Sequence, residues 1–317
     1  MRYKNLGSTG VKISEVAVGT WGIGGRGWGG ADKNQSISAM RTMVDLGVNL
    51  IDTAPFYGLG SAEEVIGEAF QKNRDKVIIS TKCGIKIDNP DGKTKKMATR
   101  AEVFAGCEAS LKRLNMDYID VFFVHWPDVN TPIEETMTAM NDLKKAGKIR
   151  FIGLSNFSIA EMEAAMKFAH IDSIQPPFSM VDQSAKEIMI WSHKNNIGSM
   201  TYASLGAGIL TGKIRTLTTF GEGDVRNGFY KFFKEPGFSK VMELMKTVDK
   251  IAKDRGVPQS QVAINWVAQK EYVMTALVGV RTDEHAKENC AASGWALTKD
   301  EMNILDGEVT RLFGTAS

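Results

Sequence analysis

Four residues of types that take part in proton transfer stand at or just after three short apolar runs: Asp52, Tyr57, Lys82 and His125. A phenol with a free pKa of about 10 donates poorly at neutral pH, and a neighbouring ammonium lowers that pKa by favouring the phenolate. Lys82 could supply the ammonium, Asp52 could keep it charged, and His125 could orient a carbonyl or share in proton transfer. Together they would place a tuned acid beside a carbonyl oxygen, which suits hydride addition.

Each of these residues also has an ordinary structural explanation when taken alone. An Asp at a strand end often caps a helix, a tyrosine is often half-buried packing, and a lysine after a strand is usually solvated. His125, which precedes Trp126-Pro127, could be a core histidine with satisfied hydrogen bonds. Their joint position at the ends of three consecutive predicted strands favours the chemical interpretation.

The elements that must position these residues are short apolar runs that alternate with amphipathic stretches. Most of the runs are too short for helices and rich in Val, Ile or Phe, so they are predicted to be buried strands. The eight predicted strands are Glu15–Val18, Asn49–Asp52, Val77–Thr81, Tyr118–Val124, Ile149–Leu154, Ile171–Gln175, Gly198–Tyr202 and Thr275–Gly279. Helices are predicted over Ala101–Leu114 and Ile133–Ala146, with a helix stop at Gly147 and a capping box at Ser158 and Glu161.

Alternation of strands and helices predicts a parallel sheet with helical crossovers. Eight such units fit an α/β fold of the (β/α)8 TIM barrel type, with the functional groups in the loops at its C-terminal face. An open doubly wound sheet is the alternative, but the glycine-rich stretch at 22–30 lacks the GxGxxG spacing of a dinucleotide turn. We expect one domain over residues 1–317. The long irregular segment Thr211–Pro236 is predicted to be functional, for example as a lid.

The amino-acid composition favours a globular protein and argues against several other classes. The chain has 317 residues, 43% of them hydrophobic and 24% charged, and a formal net charge of +2. This is ordinary globular composition, and it argues against a broadly basic nucleic-acid binder. Three cysteines without CxxC spacing argue against a disulfide scaffold and a zinc site. With neither a signal peptide nor a membrane span predicted, a cytoplasmic protein without metal or membrane partners is expected. The sequence indicates no oligomeric state.

Several motifs together resemble the aldo-keto reductase family. They are GVNLIDTAPFYG at Gly47–Gly58, STK at Ser80–Lys82, LNMDYID at Leu114–Asp120 leading to His125, and GLSNF at Gly153–Phe157. The resemblance extends from about Tyr3 to about Leu305 and is greatest to bacterial reductases related to inositol-locus and general-stress proteins. It implies a barrel closed at its bottom by a hairpin over Tyr3–Ile13. It also implies a catalytic tetrad of Asp52, Tyr57, Lys82 and His125, with Tyr57 as the general acid.

The same resemblance implies that NADPH lies across the barrel mouth without a Rossmann domain. Ser155, Asn156 and Gln175 would hold the carboxamide, and Tyr202 would stack on the nicotinamide. A glycine-rich pyrophosphate loop and a helix N-terminus after the last strand complete the expected site. The expected cofactor residues are Thr20, Trp21, Asp52, Ser155, Asn156, Gln175, Tyr202, Ser204, Leu205, Gly208, Leu210, Gly212, Lys213, Arg226, Gly279, Arg281, His285 and Asn289. His285 stands where many relatives carry Gln or Arg.

Aromatic side chains near the motifs predict the substrate pocket. The expected lining is Trp28, Phe56, Tyr57, His125 and Trp126, with Phe229–Phe233 as further candidates. Such a pocket suits a small aldehyde, ketone or sugar, so a reversible NADPH-dependent carbonyl reduction is predicted. Two other functions stay open: an aldolase that forms a Schiff base on Lys82, and an NADP(H)-binding regulatory subunit like the potassium-channel β subunits of the family.

Overall fold

The structure is a computed structural model that describes residues 1–25, 27–87 and 93–314. Its strands are β1 (Tyr3–Asn5), β2 (Lys12–Ser14), β3 (Val16–Gly19), β4 (Leu50–Asp52), β5 (Ile78–Cys83), β6 (Ile85–Ile87), β7 (Thr94–Lys96), β8 (Ile119–Val124), β9 (Ile149–Ser155), β10 (Ser173–Gln175), β11 (Gly198–Thr201) and β12 (Thr275–Gly279). Its helices are α1 (Lys33–Asp45), α2 (Ser61–Phe70), α3 (Arg100–Leu114), α4 (Ile133–Lys145), α5 (Ile159–Met166), α6 (Lys186–Lys194), α7 (Gly237–Arg255), α8 (Gln259–Ala268), α9 (Asp283–Ala291) and α10 (Lys299–Phe313).

Eight parallel strands close into a barrel in the order β3, β4, β5, β8, β9, β10, β11, β12, and β12 pairs with β3. The predicted (β/α)8 fold is therefore confirmed, and the alternative of an open sheet is wrong. Each predicted strand overlaps its observed strand. The largest differences are two residues: β5 continues to Cys83, and β10 begins at Ser173.

Side chains along the barrel strands alternate between the two sides of the wall. Leu50, Val121 and Met200 lie in one apolar cluster with Ala17 and Leu277, and they fill the barrel interior. Their neighbours in sequence pack against the outer helices. Since the period is two, the last residues of β4 and the later part of β5 direct polar side chains inward at the mouth.

The predicted N-terminal hairpin is present, with β1 and β2 paired antiparallel and Tyr3 opposite Ser14. Leu6 and Ile13 are fully buried and belong to the same interior cluster as Leu50. The hairpin therefore closes the end of the barrel opposite the mouth. Further along the chain, the capping box of Ser158 and Glu161 is also confirmed at the start of α5.

Sequence patterns did not predict the small hairpin of β6 and β7, which follows β5. The segment Thr211–Pro236 lacks long helices or strands, as predicted, and has short 3-10 turns at Val225–Asn227 and Lys231–Phe233. In the described ranges, helices that combine the length and apolar character needed to cross a membrane are absent.

Candidate active site

A buried ion pair joins the ends of β4 and β5. Lys82 Nζ lies 2.9 Å from Asp52 Oδ2 and 3.0 Å from Oδ1, and it also donates to the carbonyl of Thr53 at 2.7 Å. An ammonium has three N–H donors, so these contacts can occupy all of them. Ser80 donates to Asp52 Oδ1 at 2.7 Å. Both the carboxylate and the ammonium are thereby held in one orientation.

Tyr57 lies directly above this ion pair. Lys82 Nζ is 5.1 Å from the centroid of the Tyr57 ring, and the His125 ring meets that ring edge-on at 6.3 Å. The indole of Trp21 also stacks on the Tyr57 ring, with ring centroids 6.0 Å apart and planes 22° apart. The four residues predicted to form the tetrad therefore come together at one mouth, although they span three strand ends.

The electrostatics of Tyr57 correct one expectation. The pKa of the phenol is raised well above its ordinary value, chiefly because burial disfavours the phenolate and then because the Asp52 charge repels it. From the sequence, the ammonium of Lys82 was predicted to lower this pKa. The prediction is wrong because Asp52 neutralises Lys82 at close range, so the charge of Lys82 does not outweigh burial. The phenol is consequently protonated at neutral pH.

Burial also controls the two neighbouring bases. The pKa of Lys82 is lowered by desolvation, and Asp52 opposes this shift by charge and hydrogen bonding. The pKa of His125 is lowered well below its ordinary value by burial and then by the charge of Lys82. A neutral imidazole therefore faces the Tyr57 ring at neutral pH.

A second hydrogen-bond network runs along the ends of β9, β10 and β11. Tyr202 donates its hydroxyl to Asn156 Oδ1 at 3.0 Å, and Asn156 Nδ2 donates to Ser155 Oγ at 3.0 Å. Ser155 donates to the Gln175 carbonyl at 2.8 Å, and Gln175 Nε2 donates to Asp52 Oδ1 at 2.8 Å. The residues predicted to hold the carboxamide thus form one connected group that reaches the carboxylate of Asp52.

The loop after β3 lies beside Asp52 at the same end of the barrel. Thr20 donates both its N–H and its hydroxyl to the Asp52 carbonyl, at 3.1 and 2.9 Å. Trp28 meets Trp21 edge-on at 5.2 Å, and its Nε1 is buried without a hydrogen-bond partner among the described residues. The indole N–H of Trp28 is therefore a hydrogen-bond donor that is free to bind a ligand beside the site.

The glycine-rich segment after β11 offers backbone rather than side chains. Leu210 is fully buried in the core, and the hydroxyl of Ser204 is buried and donates to the Thr201 carbonyl. Leu205 is half-buried. Gly208 has a φ of 94° and open space where a Cβ would stand, so a ligand can approach its backbone closely. Gly212 instead packs on Gln259.

Cationic side chains gather where β12 ends and α9 begins. Arg281 Nη2 donates to the Trp28 carbonyl at 2.6 Å, and its pKa is lowered by burial and by the nearby Arg226. The pKa of His285 is lowered by burial and by the charge of Lys213. Asn289 donates to the Gly279 carbonyl at 3.2 Å. Thr282 caps α9, so a helix N-terminus follows the last strand, as predicted.

The loop over residues 211–236 reaches across this mouth. Val225 N donates to the Gly27 carbonyl at 3.1 Å, and Phe229 meets Trp21 edge-on at 6.2 Å. Arg226 forms a bidentate pair with Asp224 and lies over the ring of Phe220. The segment predicted as a lid thus contacts the loop after β3.

Two predicted pocket residues, Phe56 and Trp126, lie in the loops after β4 and β8. Trp126 lies beneath Lys96 Nζ, 4.8 Å from its ring centroid, and Phe56 is half-buried beside Tyr57 in sequence. Ser80 was not predicted as a site residue, although its position two residues before Lys82 on a strand was a usable signal. Tyr230 lies within the candidate pocket range Phe229–Phe233, and it is a buried phenol whose charge contributes to the raised pKa of Tyr57.

The donor set of this mouth fits a nicotinamide dinucleotide. Amide and hydroxyl groups of Ser155, Asn156 and Gln175 match a carboxamide, and Gly208 leaves space for phosphate against the backbone. The cations at α9 match further phosphate charge. Groups of three or more His, Cys, Asp or Glu arranged for a metal are absent from the described part of the chain.

The sequence of this chain is similar to a protein family and to individual known proteins. Residues 15–309 match the model of the Aldo/keto reductase family. Aldo-keto reductase YhdN of Bacillus subtilis is 39% identical over 96% of this chain and 93% of its own. The NADH-specific methylglyoxal reductase of Escherichia coli is 31% identical over 96% of this chain and 95% of its own.

A solved structure agrees with these sequence matches. The glycerol dehydrogenase AKR11B4 from Gluconobacter oxydans superposes with a TM-score of 0.90 and 34% identity, covering 99% of this chain and 96% of that chain. The matches extend over the barrel and its mouth loops together. The chain therefore belongs to the aldo/keto reductase family, whose members are NAD(P)H-dependent oxidoreductases.

Proposed function

We propose that this protein reduces the carbonyl of a small aldehyde, ketone or sugar to the alcohol with NADPH, reversibly, and that Tyr57 is the general acid. The observation that carries the proposal is the position of a protonated Tyr57 phenol against the buried pair of Lys82 and Asp52, with His125 on the same side. A carbonyl oxygen seated among these groups meets a proton donor and a neutral imidazole.

The proposal gives each residue of the site a role. Ser155, Asn156 and Gln175 would hold the carboxamide of a bound reduced nicotinamide, which would supply the hydride for the carbonyl carbon. Tyr57 keeps its proton until the carbonyl oxygen accumulates charge, then gives it up and becomes a phenolate. Lys82 stabilises that phenolate, and Asp52 fixes the ammonium in place. Solvent afterwards restores the proton of Tyr57.

The contacts of Lys82 argue against the aldolase alternative. A Schiff base requires an amine with a free lone pair that can reach a substrate carbon. Here Nζ points to three oxygen acceptors at 2.7 to 3.0 Å, and the side chain is fully buried. This arrangement favours a fixed charge over a nucleophile.

The preference for NADPH over NADH is part of the proposal. Arg281, Arg226 and Lys213 bring three cations to the start of α9, where an additional 2′-phosphate would be stabilised. A relative named as NADH-specific lies within the same family, so family membership does not decide the cofactor. The charges of this chain support NADPH.

The side chains that line the barrel mouth favour a small substrate. The indole of Trp21 stacks on Tyr57, the indole of Trp28 and the ring of Phe229 meet Trp21 edge-on, and the unpaired N–H of Trp28 can bind a further oxygen. Apolar walls with a few polar groups suit a short aldehyde, ketone or sugar.

A carbonyl panel tests the proposal. Methylglyoxal, glyceraldehyde, dihydroxyacetone and xylose would each be mixed with NADPH or NADH, and cofactor oxidation followed by absorbance. Rapid turnover of at least one compound with NADPH is expected. If every carbonyl reacts slowly although NADPH binds tightly, the regulatory-subunit alternative replaces this proposal. Trapping of a carbonyl compound on Lys82 by borohydride, without cofactor oxidation, would instead support the aldolase.

A further inference from the structure

Two glycines meet beneath Tyr57. A Cβ added to Gly24 would lie 2.5 Å from the carbonyl carbon of Tyr57 and 2.6 Å from the nitrogen of Gly58. A Cβ added to Gly58 would lie 2.3 Å from the Gly24 carbonyl oxygen. Non-bonded carbon contacts are ordinarily 3.5 to 4.0 Å or so. The loop after β3 and the residue after Tyr57 are thus in direct backbone contact.

The two glycines are required for different reasons. Gly58 has a φ of 61°, so a side chain there would be strained in any case. Gly24 does not have a positive φ, so its backbone conformation is one that other residue types can adopt. Only the closeness of the Tyr57 backbone excludes a side chain at Gly24. A substitution there therefore reports on this contact alone.

The turn that carries Gly24 is anchored to the catalytic pair. Thr20 donates twice to the Asp52 carbonyl, and the Thr20 carbonyl accepts the N–H groups of Ile23 and Gly24 at 2.9 and 3.3 Å. The same turn stacks the indole of Trp21 on the Tyr57 ring. The turn therefore contacts both the ring and the backbone of Tyr57. It is also hydrogen-bonded to Asp52, which pairs with Lys82.

We propose that Gly24 is a positioning residue for Tyr57. Because Gly24 has no side chain, the Thr20–Gly24 turn can pack directly against the Tyr57 backbone. This contact fixes the position of the phenol relative to Lys82. The inference rests on the proposed role of Tyr57 as the acid. Reacting groups displaced by about 1 Å can lose on the order of 100-fold in rate, so a methyl group wedged at Gly24 acts on the chemical step.

The test compares two alanine variants of one loop. Gly22 also lacks a positive φ, and a Cβ there would make ordinary 3.6 Å contacts with Arg281 Nε and Nη2. With saturating NADPH and the best substrate of the carbonyl panel, Gly24→Ala should lower the single-turnover rate by about 30- to 100-fold. The Kd for NADPH should stay within about threefold, and Gly22→Ala should keep the wild-type rate.

Folding and the proposed acid are tested alongside. Circular dichroism and thermal melting check the fold of Gly24→Ala. If that variant does not fold, Thr20→Val removes one of the two hydrogen bonds that anchor the same turn without adding bulk, and a several-fold slower single turnover at saturating NADPH is expected. A rate in the folded Gly24→Ala, or otherwise in Thr20→Val, equal to that of Gly22→Ala overturns the positioning role. Normal turnover in Tyr57→Phe would overturn the acid role itself, so the two failures are distinguishable.

Discussion

Lys82 and Asp52 form an ion pair that solvent barely reaches: Nζ and Oδ2 are 2.9 Å apart, and the two side chains are 0% and 3% exposed. Removing one partner of such a pair leaves a buried charge uncompensated. The pair sits beneath the Tyr57 ring, so under the proposed mechanism the same contact would serve both stability and chemistry. These two contributions can be separated by experiment.

Lys82→Met should abolish measurable turnover and lower the free energy of unfolding by about 3 to 5 kcal/mol, because Asp52 is left buried without its counter-ion. The double variant Asp52→Asn/Lys82→Met should regain much of that stability and none of the activity. Urea unfolding and NADPH oxidation measure the two effects. A double variant as unstable as the sum of the single variants would mean that the pair is not coupled as described.

Tyr57→Phe should bind NADPH as the wild type does and lose about 10²- to 10⁴-fold in kcat, since the phenyl ring fills the same space without a proton to give. Quenching of tryptophan fluorescence measures cofactor binding, because Trp21 stacks on this ring. Trp21→Phe is a useful comparison for packing, as it keeps the phenol. Activity near the wild-type level in Tyr57→Phe contradicts the acid assignment.

The two directions of the reaction should differ in their dependence on pH. Reduction needs the protonated phenol, and the raised pKa of Tyr57 keeps that form through neutral pH. Oxidation of the alcohol needs the phenolate as a base, so its rate should climb as pH rises into the alkaline range while reduction stays level near neutrality. Initial rates in both directions from pH 6 to about 10 test this, the upper limit being near the free pKa of tyrosine. Parallel profiles would argue against Tyr57 as the shared acid and base.

Arg281→Ala should weaken NADPH much more than NADH. A charge-assisted contact to the 2′-phosphate is worth about 1.5 to 3 kcal/mol, or roughly ten- to over a hundred-fold in Kd, and NADH lacks this group. Arg215→Ala is the matched control, because that arginine is outside the expected cofactor residues and forms an ion pair with Asp249 of α7. Both cofactors would be titrated by fluorescence quenching. Equal losses for the two would move the 2′-phosphate contact to Lys213 or Arg226.

The sequence by itself determined the barrel and the tetrad candidates. Short Val- and Ile-rich runs separated by amphipathic stretches specify parallel strands and crossover helices, and their period of two directs Asp52 and Lys82 to one side of the wall. Because parallel strands end at one face, residues 30 positions apart were predicted to meet. The specific motifs around them then pointed to the correct family.

Only the tertiary structure decided the protonation state of the site and its loop contacts. The pKa of Tyr57 depends on burial against the neutralised Lys82, a balance of desolvation and charge that spacing along the chain does not contain. The roles of Gly24 and Val225 likewise arise where two irregular loops meet, at Tyr57 and at Gly27. Irregular loops have no hydrophobic period, so their mutual positions are set by packing alone.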